Sequence, residues 1–218
     1  MSDVIALIDG FNIYHALDQR SRFGGYPYRK FKWINYWMLA ECFVPHNDVM
    51  RSVTWFTAKC PWKGNSGDLK RERHQKLRRA NEHYGVEVVD GYFRPVTKKR
   101  VLINPRGFIQ YDTYEEKRTD VALAVMLVSL AYQRAYDKAV ILTADSDMIP
   151  AIEEAKRVHT DGIIINAVPI ERRAQALKNY VDQQISMQVK HLEASQLPTI
   201  VETSRGRRVE RPIEWKGN

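Results

Sequence analysis

Short unbroken apolar runs alternate along this chain with longer segments of helical spacing, and the alternation predicts a parallel sheet wrapped by helices. Val4 to Ile8 is apolar at every position and stops at Asp9-Gly10, as expected of a strand buried on both faces. Val49 to Ala58, Val86 to Val89, Ala139 to Thr143 and Gly162 to Ala167 read as further strands. Helices are expected from Asn12 to Leu17, from Trp33 to Phe43 ahead of Pro45, and from Asp68 to His83. Three more follow, at Val121 to Tyr136, Ile149 to Val158 and Glu171 to about Gln188. Arg100 to Tyr111 reads as a hairpin around the turn cluster Asn104-Pro105-Arg106-Gly107. The predicted fold class is α/β, a doubly wound, mainly parallel sheet flanked by helices, with a small inserted hairpin.

Segments that break the rule refine this picture. Val121 to Tyr136 is apolar almost all round and is expected to be buried against the sheet, whereas Asp68 to His83 has only Leu69, Leu77 and Ala80 for an apolar face. From Ser195 the chain carries Pro198, Ser204, Gly206, Pro212 and several arginines without apolar periodicity. A domain over residues 1–193 followed by a basic tail over 194–218, disordered or loosely docked, is therefore expected.

Composition narrows the partners. The 218 residues are 44% hydrophobic, enough for one core, and 34 Lys and Arg against 26 acids give a net charge of +8, which leans toward a polyanion such as nucleic acid. Cys42 and Cys60 stand in no C-x-x-C or His-paired spacing, so a disulfide framework and a thiolate zinc site are not indicated and a reducing, cytoplasmic location is expected. The first apolar run lacks a preceding basic segment and is too short to span a bilayer, so no membrane partner is expected. Homo-oligomerisation stays open. Neither a G-x-G-x-x-G nor a P-loop pattern occurs, so the common dinucleotide and NTP cradles are not expected.

The candidate chemistry is acidic. In open α/β sheets the ligand site lies beyond the carboxyl ends of the strands, where strand order reverses. Asp9 and Asp145 each follow a buried strand, Asp120 opens the longest apolar helix, and Asp147 is two residues beyond Asp145. Carboxylates gathered at one edge repel one another unless a counter-ion joins them, and an all-oxygen set suits Mg²⁺ or Mn²⁺. Each also has a local role open to it: Asp9 as a turn residue or helix cap, Asp120 as a cap, and Asp145-Ser146-Asp147 as an Asx-turn or the D-x-D of a nucleotide-sugar transferase.

Three stretches together resemble a known family: Asp9-Gly-Phe-Asn12, Glu116-Lys117-Arg-Thr-Asp120-Val-Ala-Leu-Ala, and Thr143-Ala-Asp145-Ser-Asp147-Met-Ile-Pro150. They are similar to the NYN domains, in particular the LabA-like branch, within the PIN-like nuclease superfamily. The resemblance implies a central parallel sheet, Mg²⁺ or Mn²⁺ held by Asp9, Asp120 and Asp145 with Asp147 as a fourth acid, and hydrolysis of RNA. It implies further that Asn12 orients Asp9 or a metal-bound water and that Lys117 contacts a phosphate. Relatives commonly carry another Asp six residues after Asp120, where this chain has Met126, and Ser-Gly where it has Thr143-Ala144.

Basic residues extend the expectation to binding. Lys70, Arg71, Arg73, Lys76, Arg78 and Arg79 lie on one predicted helix, a candidate phosphate track or a solvated face; Lys98-Lys99-Arg100 and Arg172-Arg173 would extend it. Tyr26, Tyr28 and Trp62 are candidate stacking platforms for single-stranded RNA, while Trp55 in a predicted strand and His15 on a predicted helix read as core and surface. Two functions follow: a metal-dependent ribonuclease, and a catalytically weak RNA-binding or regulatory module.

Overall fold

Seven strands cross the middle of the molecule in a computed structural model that describes residues 1–20, 24–61, 65–102, 106–203 and 206–216. They are β1 (Asp3–Asp9), β2 (Val49–Ala58), β3 (Glu87–Leu102), β4 (Gly107–Lys117), β5 (Lys138–Leu142), β6 (Ile163–Val168) and β7 (Gln183–Ser186). Their order is β4-β3-β2-β1-β5-β6-β7, and every pairing is parallel except β3 with β4. Strand β1 is the pivot, because the chain leaves it toward β2 on one side and later returns to add β5 on the other.

Alternation in β1 sends side chains into two cores. Val4, Ala6 and Ile8 join a layer with α1 (Gly10–Leu17), α2 (Tyr36–Glu41) and α3 (Asn65–His83). Ile5 and Leu7 join the other, with α4 (Thr119–Tyr132) and α5 (Ile149–Val158). This is the predicted doubly wound α/β fold, consistent with a PIN-like architecture. No helix among the described residues is long and apolar enough to cross a membrane.

Several expectations need correction. The inserted hairpin is larger than predicted, since β3 runs on from the third predicted strand and pairs with β4 from Tyr92↔Lys117 to Leu102↔Gly107. Its predicted turn residues Asn104 and Pro105 lie outside the described residues, as do Trp62 and Ser204. Helix α2 is shorter than Trp33 to Phe43, because the Asn35 side chain accepts from Trp37 N–H at 2.9 Å and Met38 N–H at 3.2 Å and so starts the helix there. Helix α4 packs against the sheet as expected, through Leu123, Leu127 and Ala131, and leaves Val121 and Val125 exposed on its other face.

The helix expected from Glu171 to Gln188 is absent. Ala174, Leu177 and Val181 have helical spacing but are buried one by one from a loop and a single 3-10 turn, before the chain enters β7. The tail, expected to be disordered or loosely docked, packs on the first core. After α6 (Val189–Ala194), β8 (Ile200–Glu202) pairs with β9 (Arg208–Glu210), and Val201, Val209 and Trp215 are buried in the first core. Its anchors are widely spaced single residues, which leave no periodic signal. Trp33 Nε1 fastens it by donating to the Pro198 carbonyl at 2.8 Å.

Candidate functional site

The carboxyl ends of β1 and β5 meet where strand order reverses, and Asp9 and Asp145 stand there. Asp9 caps α1, its Oδ1 accepting from Asn12 N–H at 2.9 Å. Its Oδ2 accepts from Asn12 Nδ2 at 2.6 Å and from the buried Thr143 hydroxyl at 2.9 Å. Thr143 Oγ1 in turn accepts from Asp145 N–H at 3.1 Å, so one hydroxyl ties the two aspartates together. Asn166 holds the Thr143 carbonyl at 2.9 Å and itself accepts from Gln184 at 3.0 Å, fixing this end of β5 from β6 and β7.

Asp120 arrives from the other core. The chain turns from β4 into α4 through Arg118, a non-glycine residue at φ 86, and this strained step sets Asp120 in the first helical turn. Gly91 permits the approach, since a Cβ there would meet the Lys117 carbonyl at 2.6 Å and Glu116 Oε1 at 2.7 Å. Asp9, Asp120, Asp145 and Asp147 together line a recess of about 240 Å³. The Asp120 carboxyl is pushed up to about 6, first by partial burial and then by the negative charges of Asp9, Glu116, Asp145 and Asp147.

Local roles persist beside this convergence. Asp145 Oδ1 accepts from Asp147 N–H at 3.0 Å as the cap of a short 3-10 turn, as an Asx-turn would have it. No three acidic, imidazole or thiol side chains among the described residues form a ready-made cation cage. The donor chemistry nevertheless fits a hard divalent ion: the recess offers carboxylate oxygens from four residues, and Asp120 makes no hydrogen bond among the described residues that would hold it back. Glu116, which sequence reasoning passed over, is a fifth acid; it accepts from Thr119 N–H at 3.1 Å and adds to the field on Asp120. Its signal was its place in the Glu116 to Asp120 stretch, obscured because that stretch starts on a strand. Met126 packs partly buried in the second core.

A larger recess of about 670 Å³ opens from Asp9, Asp120 and Asp145. Trp55, Tyr36, Phe11, Phe93 and Trp215 form its walls, and His15 and His74 line it. Burial, then the charges of nearby arginines, hold both imidazoles below the ordinary value, His74 at about 4, so both are neutral near pH 7. Of the predicted cations, Lys70 and Arg73 reach this recess, as does Arg172. Arg71 pairs with Asp68, Lys76 with Glu72 at 2.8 Å, and Arg78 with both Glu82 and Asp90, while Arg73 pairs with Glu214 of the tail. Arg79 is exposed outside the recess, and Lys117 lies outside it, 3.0 Å from Glu115.

A mainly parallel seven-stranded sheet flanked by helices, with acids gathered at its switch point, defines an α/β protein consistent with a PIN-like fold. The NYN domain model matches residues 3–190, and the chain belongs to the NYN-domain family. It is 26% identical over 244 aligned positions to the 6-hydroxy-3-succinoylpyridine 3-monooxygenase HspA of Pseudomonas putida, covering 96% of this chain and 74% of that protein. A crystal structure of a protein of unknown function from Vibrio parahaemolyticus shares the fold at a TM-score of 0.55 and 14% identity, over 90% of this chain and 96% of its own.

Proposed function

We propose that the chain is a metal-dependent ribonuclease of the LabA-like NYN branch, acting on single-stranded RNA in the cytoplasm. The observation that carries this reading is the convergence of Asp9, Asp120, Asp145 and Asp147, drawn from three separate parts of the fold, on one recess. These residues would hold Mg²⁺ or Mn²⁺, which when bound supplies charge neutralisation for a phosphodiester and an acidified water. The chain's own work is to orient and to poise. Asn12 and Thr143 fix both oxygens of Asp9, and Thr143 sets Asp145 relative to it. The negative charges that help raise the Asp120 carboxyl to about 6 in the metal-free recess are the ones a bound divalent cation would neutralise, so that Asp120 would join Asp9 and Asp145 as an ionised ligand.

A second reading draws on the aromatic recess. The Pseudomonas putida relative is named as a monooxygenase of a substituted pyridine, and a chamber of about 670 Å³ beside the acids has room for such a ring. Purified protein incubated with single-stranded RNA and DNA in Mg²⁺, Mn²⁺ and chelator tests the first reading. Metal-dependent loss of RNA supports it; binding without cleavage in any metal favours a regulatory module; dioxygen uptake with a pyridine acid and a reductant favours the second.

A further inference from the structure

We propose that the recess beside the acids binds one planar heteroaromatic ring bearing an anionic group, the Trp55 indole N–H donating to the ring's edge and Arg172 facing the anion. The proposal rests on the reading that the acids mark the reacting end of the substrate.

The cavity is larger than its neighbour requires. A phosphodiester alone needs a groove, whereas about 670 Å³ falls within the range of small-molecule sites, roughly 300 to 1,000 Å³. Its walls suit a ring. Trp55 and Tyr36 stand 4.8 Å apart between centroids, and Phe11 meets Phe93 edge-on at 5.7 Å. One polar atom has no role in the fold: Trp55 Nε1 is buried and finds no hydrogen-bond acceptor among the described residues, an unfavourable state that a bound acceptor would relieve. Gly10 lets β1 and α1 join close beside that edge, since a Cβ there would collide with the indole nitrogen.

Charge is arranged to match. Arg172 lines the recess and makes no ion pair among the described residues, whereas Arg73 is committed to Glu214. The neutral imidazoles of His15 and His74 leave Arg172 as a permanent charge available to an anion. Trp215 closes one side and lies beyond the stretch matched by the family model, so this wall belongs to the chain's own tail. Two sources share the chemistry: a nucleotide whose base is swung out of an RNA strand, and a free heteroaromatic acid.

The test is calorimetric titration of the whole chain in chelator with uridine 5′-monophosphate, nicotinate and ribose 5-phosphate, with the Trp55 indole resonance followed in a ¹H–¹⁵N spectrum. At least one ring compound is expected to bind tenfold or more tighter than ribose 5-phosphate and to shift the indole signal, the tighter one naming the source. Trp55→Phe, which keeps a ring and removes the N–H, and Arg172→Gln are each expected to weaken binding fivefold or more. Binding of neither ring compound, equal binding of ribose 5-phosphate, or an unmoved indole signal overturns the proposal. Should Trp55→Phe fail to fold, the indole shift and Arg172→Gln decide. Chelator removes cleavage from the measurement, so the nuclease reading and the ring subsite can fail separately.

Discussion

Replacing Asp120 by Asn is expected to stabilise the metal-free protein above pH 6 and to change little near pH 4. The Asp120 carboxyl rises from an ordinary 3.8 to about 6 in the fold, through partial burial and then the charges of Asp9, Glu116, Asp145 and Asp147. A group raised on folding binds its proton more tightly in the native state, so the associated stability is full below the unfolded value and is lost as pH climbs through the folded one. The whole rise corresponds to at most about 3 kcal/mol. Asp120 stands at the mouth of the recess, where water and salt screen it, and about 1 kcal/mol is the realistic share. For a chain of 218 residues that is roughly 2–4 °C in melting temperature. The first turn of α4 would ordinarily favour an anion by about 0.3–1 kcal/mol, so the predicted sign requires the neighbouring acids to outweigh the helix dipole. Scanning calorimetry of both proteins from pH 4 to 8 in chelator checks this. The curves should meet near pH 4 and diverge by pH 7, with the gap narrowing in high salt. Parallel curves across the whole range would refute the shared negative field.

Three further predictions concern the supports of the site. Thr143→Val, of nearly equal shape, removes the donor to Asp9 and strands the Asp145 N–H; urea unfolding should report a loss of about 1–3 kcal/mol. Trp215→Ala should destabilise by about 3–5 kcal/mol in the same assay, because the ring is buried against Trp33 at 6.4 Å between centroids; a loss under 1 kcal/mol would return the tail to a loosely docked state. Neutralising Arg172, which lines the recess, should flatten the log-log salt dependence of RNA binding by about 0.7, the share of one phosphate contact on a single strand. Neutralising Arg71 and Lys76, which are already paired with acids, should leave that slope unchanged.

What the sequence made legible is what short-range pattern encodes. The buried runs in β1 and β5 and the aspartates after them located the switch point, because unbroken apolar strands and their carboxyl ends are properties of contiguous residues. The aromatic recess was not legible. Trp55 on β2 read as core, which its burial bears out, yet its indole edge becomes part of a site only when β2 lies beside β1 and Gly10 leaves room. Trp215 reaches that wall from a segment whose anchors are single residues far apart in sequence. The basic helix was legible as composition but not as a track, since the acids that pair with Arg73 and Arg78 come from the tail and from β3.

Single-turnover cleavage of a short single-stranded RNA by wild type and Asp145→Asn, in Mn²⁺ and in chelator, tests the central claim most directly. Asn keeps the oxygen that caps Asp147 N–H, so the variant should fold as wild type does by circular dichroism while losing a charge from the recess. Asp9→Asn is a poorer choice, because its new amide would face the amide of Asn12. The account predicts cleavage by wild type only with metal, and a rate lower by two or more orders of magnitude, roughly, in the folded variant. Equal rates for the two proteins in Mn²⁺, or cleavage by wild type undiminished in chelator, would contradict it.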